Sequence, residues 1–271
     1  MELEFWGVRG TFPVSGKKKN KYGGYTPCAS LVSSEDSLII IDAGTGITKL
    51  GDKLAKKIQG QLQIFLFLTH FHLDHIIGLP FFLPLYSSKI TITVYAPAHP
   101  EDTARHLNTL TSWRFFPAEL SKTKSTKIYK EVMDKIIHIG KVQISHCPLL
   151  HPQGSVAYKI QENEKNIIFA TDTEHPKKGI DKRLASFAQG ASYLIYDAFY
   201  TPKEYKSGKQ GWGHSTWQEG TKIARAAGVQ NLYLSHFNPK HQDSQIDKMI
   251  SLSKKEFSKT YGAKEGLKIT L

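Results

Sequence analysis

The sequence predicts an α/β (α+β) protein built on two mixed sheets packed face to face, with helices over them. Three observations predict it. Segments of strand character open each half of the chain, and helical segments flank them. The 271 residues suit one large domain or two halves around a shared core. No short repeat, low-complexity tract or linker interrupts the pattern.

In chain order, "LEFWGVRG", "CASLVSS" and "SLIIIDAG" read as strands separated by turn residues. A helix is expected over Ile47–Lys57, because Ile47, Leu50, Leu54 and Ile58 recur at helical spacing. "QIFLFL" is a buried strand that ends at a run of histidines, and "KITITVYAP" (89–97) is another strand. Residues 99–138 read as helical or irregular, with Trp113, Phe115 and Phe116 as apolar anchors. Strands resume with "KVQISHCPL" (141–149), "SVAYKIQ" (155–161), "NIIFATD" (166–172) and "ASYLIYDAF" (191–199). A helix over Trp217–Ala227 precedes the strand "NLYLSHF" (231–237), and Gln245–Phe257 is the last helix.

Composition narrows the class. Hydrophobic content of 40% with 22% charged residues is ordinary for a soluble globular chain, and no apolar run reaches the ~20 residues of a membrane span. "MELEFWGVRG" lacks the basic start and apolar stretch of a signal peptide. Cys28 and Cys147 form no disulfide framework and no Cys-x-x-Cys pair, so a reducing cytoplasm is expected. The net charge of +12 favours anionic partners, although its lysine clusters are scattered and lack the interleaved aromatics of a stacking platform. A solvated surface explains that charge equally well.

The stretch "LTHFHLDHIIG" concentrates the chemistry. His70, His72, Asp74 and His75 crowd polar groups that a core would bury only at high cost, and a metal would satisfy them together. If the chain stays extended beyond its strand, period-two geometry sends His70, His72 and Asp74 to one side, and His75 breaks the period as a helix begins. Nitrogen and oxygen ligands without cysteine suit zinc, and also manganese or iron. His151, Asp172 and His236 each sit where a strand gives out, a common place for a site to be assembled. A carboxylate such as Asp172 can bridge two cations ~3.5–4 Å apart.

These residues resemble the metallo-β-lactamase-fold hydrolases. Their five motifs match Asp42 in "IIIDAGTG", the cluster at 70–75, His151, Asp172 and His236, in order. The resemblance implies a four-layer αββα sandwich, a single domain over 1–271 with pseudo-symmetric halves of about 1–140 and 141–271, and two divalent metals at one edge of the sheets. It implies that His70, His72 and His151 hold one metal, that Asp74, His75 and His236 hold the other, and that Asp172 bridges them. Asp42 would brace the metal-bearing loop.

A finer resemblance is to the phosphodiesterase subgroup. "GWGHSTWQEGTKIARAAGVQNLYLSHFNPKH" (211–241) is similar to the Gly-His-Ser-Thr segment of ribonuclease Z and related phosphodiesterases. "YLIYDAF" (193–199) departs from their His-Glu-Ala-Thr-Phe, with Tyr196 for the histidine and Asp197 for the glutamate. "WGVRGTFPVSG" and "YGGYTPCASL" resemble the small phosphodiesterases that act on cyclic nucleotides or cyclic phosphates. The tRNA-gripping arm of bacterial ribonuclease Z is inserted between the lone histidine and the lone aspartate, and from His151 to Asp172 there is room here for two strands and a turn only.

Hydrolysis of a small anionic phosphodiester is therefore expected, most plainly a cyclic nucleotide or cyclic phosphate, by a metal-bridged hydroxide that Asp74 or Asp172 orients. His214 is expected to protonate the leaving oxygen, with Asp197 orienting its ring. Ser215 or Thr216 would cap the following helix more naturally than His214. Arg9 and Lys17 to Lys21 could reach substrate or simply face solvent, and Trp212 and Tyr200 could stack a base or pack in the core. His99, His106, His138, His146, His175 and His241 read as ordinary histidines. The rival readings are a ribonuclease Z-like RNA endonuclease and a thioester or lactone hydrolase on the same metals. No membrane partner is expected, and a homodimer would be in keeping with the resembled group.

Overall fold

The computed structural model describes residues 1–133 and 136–271. The first elements are β1 (Glu2–Gly7), β2 (Cys28–Val32), β3 (Leu38–Ile41), α1 (Ile47–Ala55), β4 (Leu62–Phe67) and α2 (Leu73–Ile76). Then come β5 (Ile90–Ala96), α3 (Pro100–Leu110), β6 (Thr126–Glu131), β7 (Ile137–Ile139), β8 (Val142–Pro148), β9 (Val156–Glu162) and β10 (Lys165–Ala170). The rest is α4 (Lys182–Phe187), β11 (Tyr193–Asp197), α5 (Pro202–Lys206), α6 (Trp217–Ala227), β12 (Asn231–Ser235), α7 (Asp243–Glu256), β13 (Thr260–Gly262) and β14 (Lys268–Thr270). Among the described residues, no helix is long and apolar enough to cross a membrane.

The chain forms two compact units. The first comprises Met1–Gly7, Tyr25–Lys135 and Gly266–Leu271. Its seven-stranded sheet runs β14-β1-β2-β3-β4-β5-β6, antiparallel from β14 to β3 and parallel from β3 to β6. β3 is buried along its whole length (Leu38, Ile39, Ile40, Ile41), as a central strand must be. Ile40, Ile64, Leu66, Ile92 and Val94 pack with Ile47 and Leu50 of α1 in one cluster. Each such aliphatic side chain contributes roughly 1.5–3 kcal/mol by leaving water. Because β3 and β4 are parallel, the residues just beyond Ile41 and Phe67 emerge at the same edge of this sheet.

The second unit comprises Val8–Gly24 and Ile136–Glu265. Its seven-stranded sheet runs β13-β12-β11-β10-β9-β8-β7, parallel from β10 to β13 and antiparallel elsewhere. The C-terminal ends of β10, β11 and β12 therefore share one edge, which carries Asp172, Asp197 and His236. α6 spans Trp217–Ala227 as the sequence predicts. The Thr216 side chain accepts from the Glu219 amide at its start, and Gly228 closes it in the left-handed region (φ 62°).

One segment differs from expectation. Within 99–138 the chain forms the strand β6, where the sequence predicts helix or irregular structure. "TKIYKE" is an edge strand with alternate residues in solvent, so its lysines hide the apolar run that marks a central strand. Trp113 and Phe115 are not anchors: they are 73% and 75% exposed. The short strands β7, β13 and β14 and the short helices α4 and α5 also escape sequence periodicity, being too brief for a periodic signal.

Candidate metal centre

In the first unit the ligand candidates lie between β4 and α2. The chain does not stay extended through Asp74. His72 is the last extended residue (ψ 149°) and serves as N-cap position of α2, so Asp74 and His75 both lie on the helix. The helical turn is favoured because the His75 amide bonds back to the His72 carbonyl at 3.0 Å. It sets His75 Nε2 3.4 Å from Asp74 Oδ2. The His70 ring stands 4.5 Å from that of His72 and 4.3 Å from that of His75, centroid to centroid. Three imidazoles and a carboxylate thus converge.

Asp42 is their brace. Its Oδ1 accepts from the Thr69 amide at 2.8 Å, the Thr69 hydroxyl lies 3.0 Å from Oδ2, and Oδ2 is 2.8 Å from His75 Nδ1. A carboxylate so placed is an acceptor, so His75 donates through Nδ1 and Nε2 is the nitrogen left for a cation. Nothing in the sequence alone singles out Thr69. Its hydroxyl also lies 3.0 Å from His70 Nδ1, so it ties two imidazoles to one carboxylate.

In the second unit Asp172, Asp197, His214 and His236 each offer one donor atom, all within 4.8 Å of one another. His236 Nε2 is 3.3 Å from Asp172 Oδ2. His214 Nδ1 is 3.1 Å from Asp197 Oδ2 and 3.8 Å from Asp172 Oδ1. Asp197 is fully buried and accepts from the amides of Asp172, Phe199 and Ser215 at 3.0, 3.0 and 3.1 Å. With so many N–H groups on the carboxylate, His214 is the donor through Nδ1, and its Nε2 is the nitrogen available for chemistry. Asp197 Oδ2 also lies 3.5 Å from His236 Nδ1, so one carboxylate faces two imidazoles. Phe199 stacks on the His214 ring at 4.3 Å and 10°. The His151 ring lies 6.3 Å from that of His214.

Asp42, Asp172 and His236 share a backbone signature, with φ of 60°, 55° and 58°. Left-handed backbone is costly for L-residues, least so for Asp, Asn and His. Each follows a strand, where the sharp turn re-aims the side chain across the sheet edge. Glycines make room beside two of the imidazoles, those of His236 and His151. A Cβ on Gly10 would stand 2.4 Å from His236 Cε1, and one on Gly213 would stand 2.5 Å from His151 Cδ2. Gly10→Ala is therefore expected to displace His236 and lower metal content at limiting metal, as read by mass spectrometry of the dialysed protein. Full loading would show that the ring can yield.

Supporting contacts give the departure at Tyr196 a partner. Tyr196 donates to Ser215 Oγ at 3.1 Å, and His175 Nδ1 lies 3.0 Å from the same oxygen. Burial holds the His175 imidazole below its ordinary pKa, against the pull of Glu219 and Glu174, which favours its neutral form. Arg9, for which the sequence offers substrate or solvent, reaches neither. It is fully buried and donates to the carbonyls of Gly23, Asn238 and His241. Lys19 bonds to the Pro239 carbonyl, and Lys21 pairs with Asp247.

Imidazole nitrogen and carboxylate oxygen, with outer carboxylates fixing the ring tautomers, are donors that zinc, manganese or iron accept. Burial pushes the Cys28 and Cys147 thiols up in pKa, which leaves thiolate out of the donor set.

Comparison with known proteins agrees. A family profile described as "Beta-lactamase superfamily domain" matches residues 38–237. A ribonuclease Z from Thermoplasma acidophilum is 23% identical over 98% of this chain and 94% of its own length. The metallo-β-lactamase fold protein YhfI of Bacillus subtilis superposes with a TM-score of 0.73 at 21% identity, over 99% of this chain and 98% of its own. A diphosphatase of the PhnP family superposes with a TM-score of 0.72 at 18% identity, over 100% and 97%. These likenesses bear out the metallo-β-lactamase fold expected from sequence. Between His151 and Asp172 the chain holds only β9 and β10 and their connections, so the inserted arm is absent.

Proposed function

The chain belongs to the beta-lactamase superfamily, and on that premise we propose that it is a metal-dependent phosphodiesterase whose substrate is a small phosphodiester, a cyclic nucleotide or cyclic phosphate. The observation that carries this reading is the His214–Asp197 pair, a proton donor held at 3.1 Å by a buried carboxylate among Asp172 and His236. A thioester hydrolase, whose thiolate leaving group is weakly basic, has less need of such a proton donor.

His70, His72 and His151 would hold one cation and Asp74, His75 and His236 the other, with Asp172 between them. Two divalent ions bound there, zinc before manganese or iron, supply a water of lowered pKa and offset charge on the phosphoryl oxygens. Asp74 or Asp172 accepts a hydrogen bond from the attacking water and points its lone pair at phosphorus. As the P–O bond opposite breaks, His214 delivers a proton from Nε2 to the departing oxygen, and Asp197 keeps hold of Nδ1–H throughout. On this reading residues 1–271 work as one domain of two halves, about 1–140 and 141–271, in the cytoplasm and as a homodimer. Light scattering at twice 30.5 kDa would support the dimer.

A ribonuclease Z-like endonuclease is the second reading, favoured by that relative and by the net charge of +12. One experiment separates them: hydrolysis of bis(p-nitrophenyl) phosphate, 2′,3′- and 3′,5′-cyclic nucleotides and a tRNA precursor by metal-reconstituted protein. Turnover of the cyclic nucleotides is expected. Cleavage of RNA alone would transfer the proposal to the nuclease, and inactivity on all four at two bound metals per chain would end it in favour of thioesters and lactones.

A further inference from the structure

Residues 207–213 lead from α5 to His214 and present an indole to solvent. Trp212 is 58% exposed, whereas Trp6 and Trp217 are both 7% exposed, so Trp212 takes no part in packing of that kind. Lys209 Nζ stands 4.0 Å from the centre of the Trp212 ring and covers one face. The opposite face is the one left for a ligand.

The loop is built to hold the Trp212 backbone in place. Gly208, Gly211 and Gly213 have φ of 94°, 81° and 81°, a backbone path that other residues resist. The Gly211 amide donates to Glu174 Oε1 and Oε2 at 2.8 and 3.0 Å, and the Gly213 amide donates to Oε2 at 3.2 Å. Tyr205 donates its hydroxyl to the same carboxylate at 2.5 Å. Trp212 therefore sits between two amides fixed to one anchor. Gly213 lies hard against the His151 ring, and His214 follows it. Two residues of chain span at most roughly 7 Å, so the Trp212 and His214 Cα atoms lie within that distance of each other.

We propose that Trp212, backed by Lys209, is a base-stacking subsite that makes this protein selective for nucleotide diesters, the base lying on the free indole face while the phosphodiester sits at His214. The inference rests on the phosphodiesterase reading and narrows its substrate class. An aromatic face accepts any base, and an ammonium beside it suits a nucleotide's negative charge, so purine and pyrimidine diesters are both taken. The fixed loop lowers the entropy lost on stacking.

The test compares thymidine 5′-(p-nitrophenyl phosphate) with methyl p-nitrophenyl phosphate, which has the same leaving group and no base. In Trp212→Ala the preference for the thymidine ester is expected to fall roughly tenfold to a hundredfold, carried by KM rather than kcat, with Trp212→Phe recovering most of it. A parallel titration with AMP by calorimetry should show binding weakened to the same degree in Trp212→Ala. Equal losses on both esters, or none on either, would overturn the inference while leaving the phosphodiesterase reading intact. Wild-type protein that hydrolyses neither ester yet binds AMP through Trp212 would sink the activity and keep the subsite. Failure of wild-type protein to bind AMP at all would remove the subsite as well.

Discussion

Replacing His214 by alanine is expected to lower kcat on a cyclic nucleotide by ~10²–10⁴-fold while the protein keeps its metal. The size of the effect should depend on the leaving group. A departing ribose oxygen is strongly basic and needs the proton from Nε2, whereas p-nitrophenolate leaves without it. The loss should therefore be much smaller on bis(p-nitrophenyl) phosphate. His72→Ala, by contrast, should lose metal and all activity together. The geometry leaves a sharp alternative, because His214 also stands within the donor cluster of Asp172, Asp197 and His236. If His214→Ala releases metal as readily as His72→Ala, His214 is a ligand and the proton donor must be sought elsewhere. Metal analysis of both variants beside their kinetics decides it.

The second large effect is expected at Asp42. Asp42→Ala removes the acceptor of the Thr69 amide, the Thr69 hydroxyl and His75 Nδ1, all buried. Each buried donor left without a partner costs about 1–3 kcal/mol, so metal-free protein should lose roughly 3 kcal/mol of stability in urea unfolding. The His75 ring also loses the contact that fixes its tautomer, and metal affinity should fall about 10–100-fold in chelator competition. Thr69→Val is the comparison, since it keeps the amide and the Asp42–His75 contact and drops only the hydroxyl with its contact to His70. A stability loss without an affinity loss would make Asp42 a purely structural brace.

Much of this is legible from residues alone. The strands of both sheet interiors declare themselves by apolar runs such as "SLIIIDAG" and "NIIFATD", because a central strand buries both faces. The ligand candidates declare themselves by their place just past those runs. Edge strands do not, since β6 puts lysines where a core strand puts isoleucine. Three-residue strands are simply shorter than any period. The extended path expected through Asp74 fails because alternation in sequence is equally compatible with a helix beginning at Leu73. Thr69, Glu174 and Gly10 are invisible for a different reason: each acts through a partner far away in sequence.

The left-handed backbone at Asp42, Asp172 and His236 bears on how such chains diverge. At 172 and 236 the backbone alone would favour glycine, by about 1–2 kcal/mol. At 42 the carboxylate more than offsets that preference, because three buried groups would lose their acceptor. A descendant released from catalysis relieves backbone strain by drifting to glycine at 172 or 236, whereas an active one must retain it. Glycine at position 172 or 236 in an otherwise similar chain is thus a sequence mark of lapsed metal chemistry, readable without any structure.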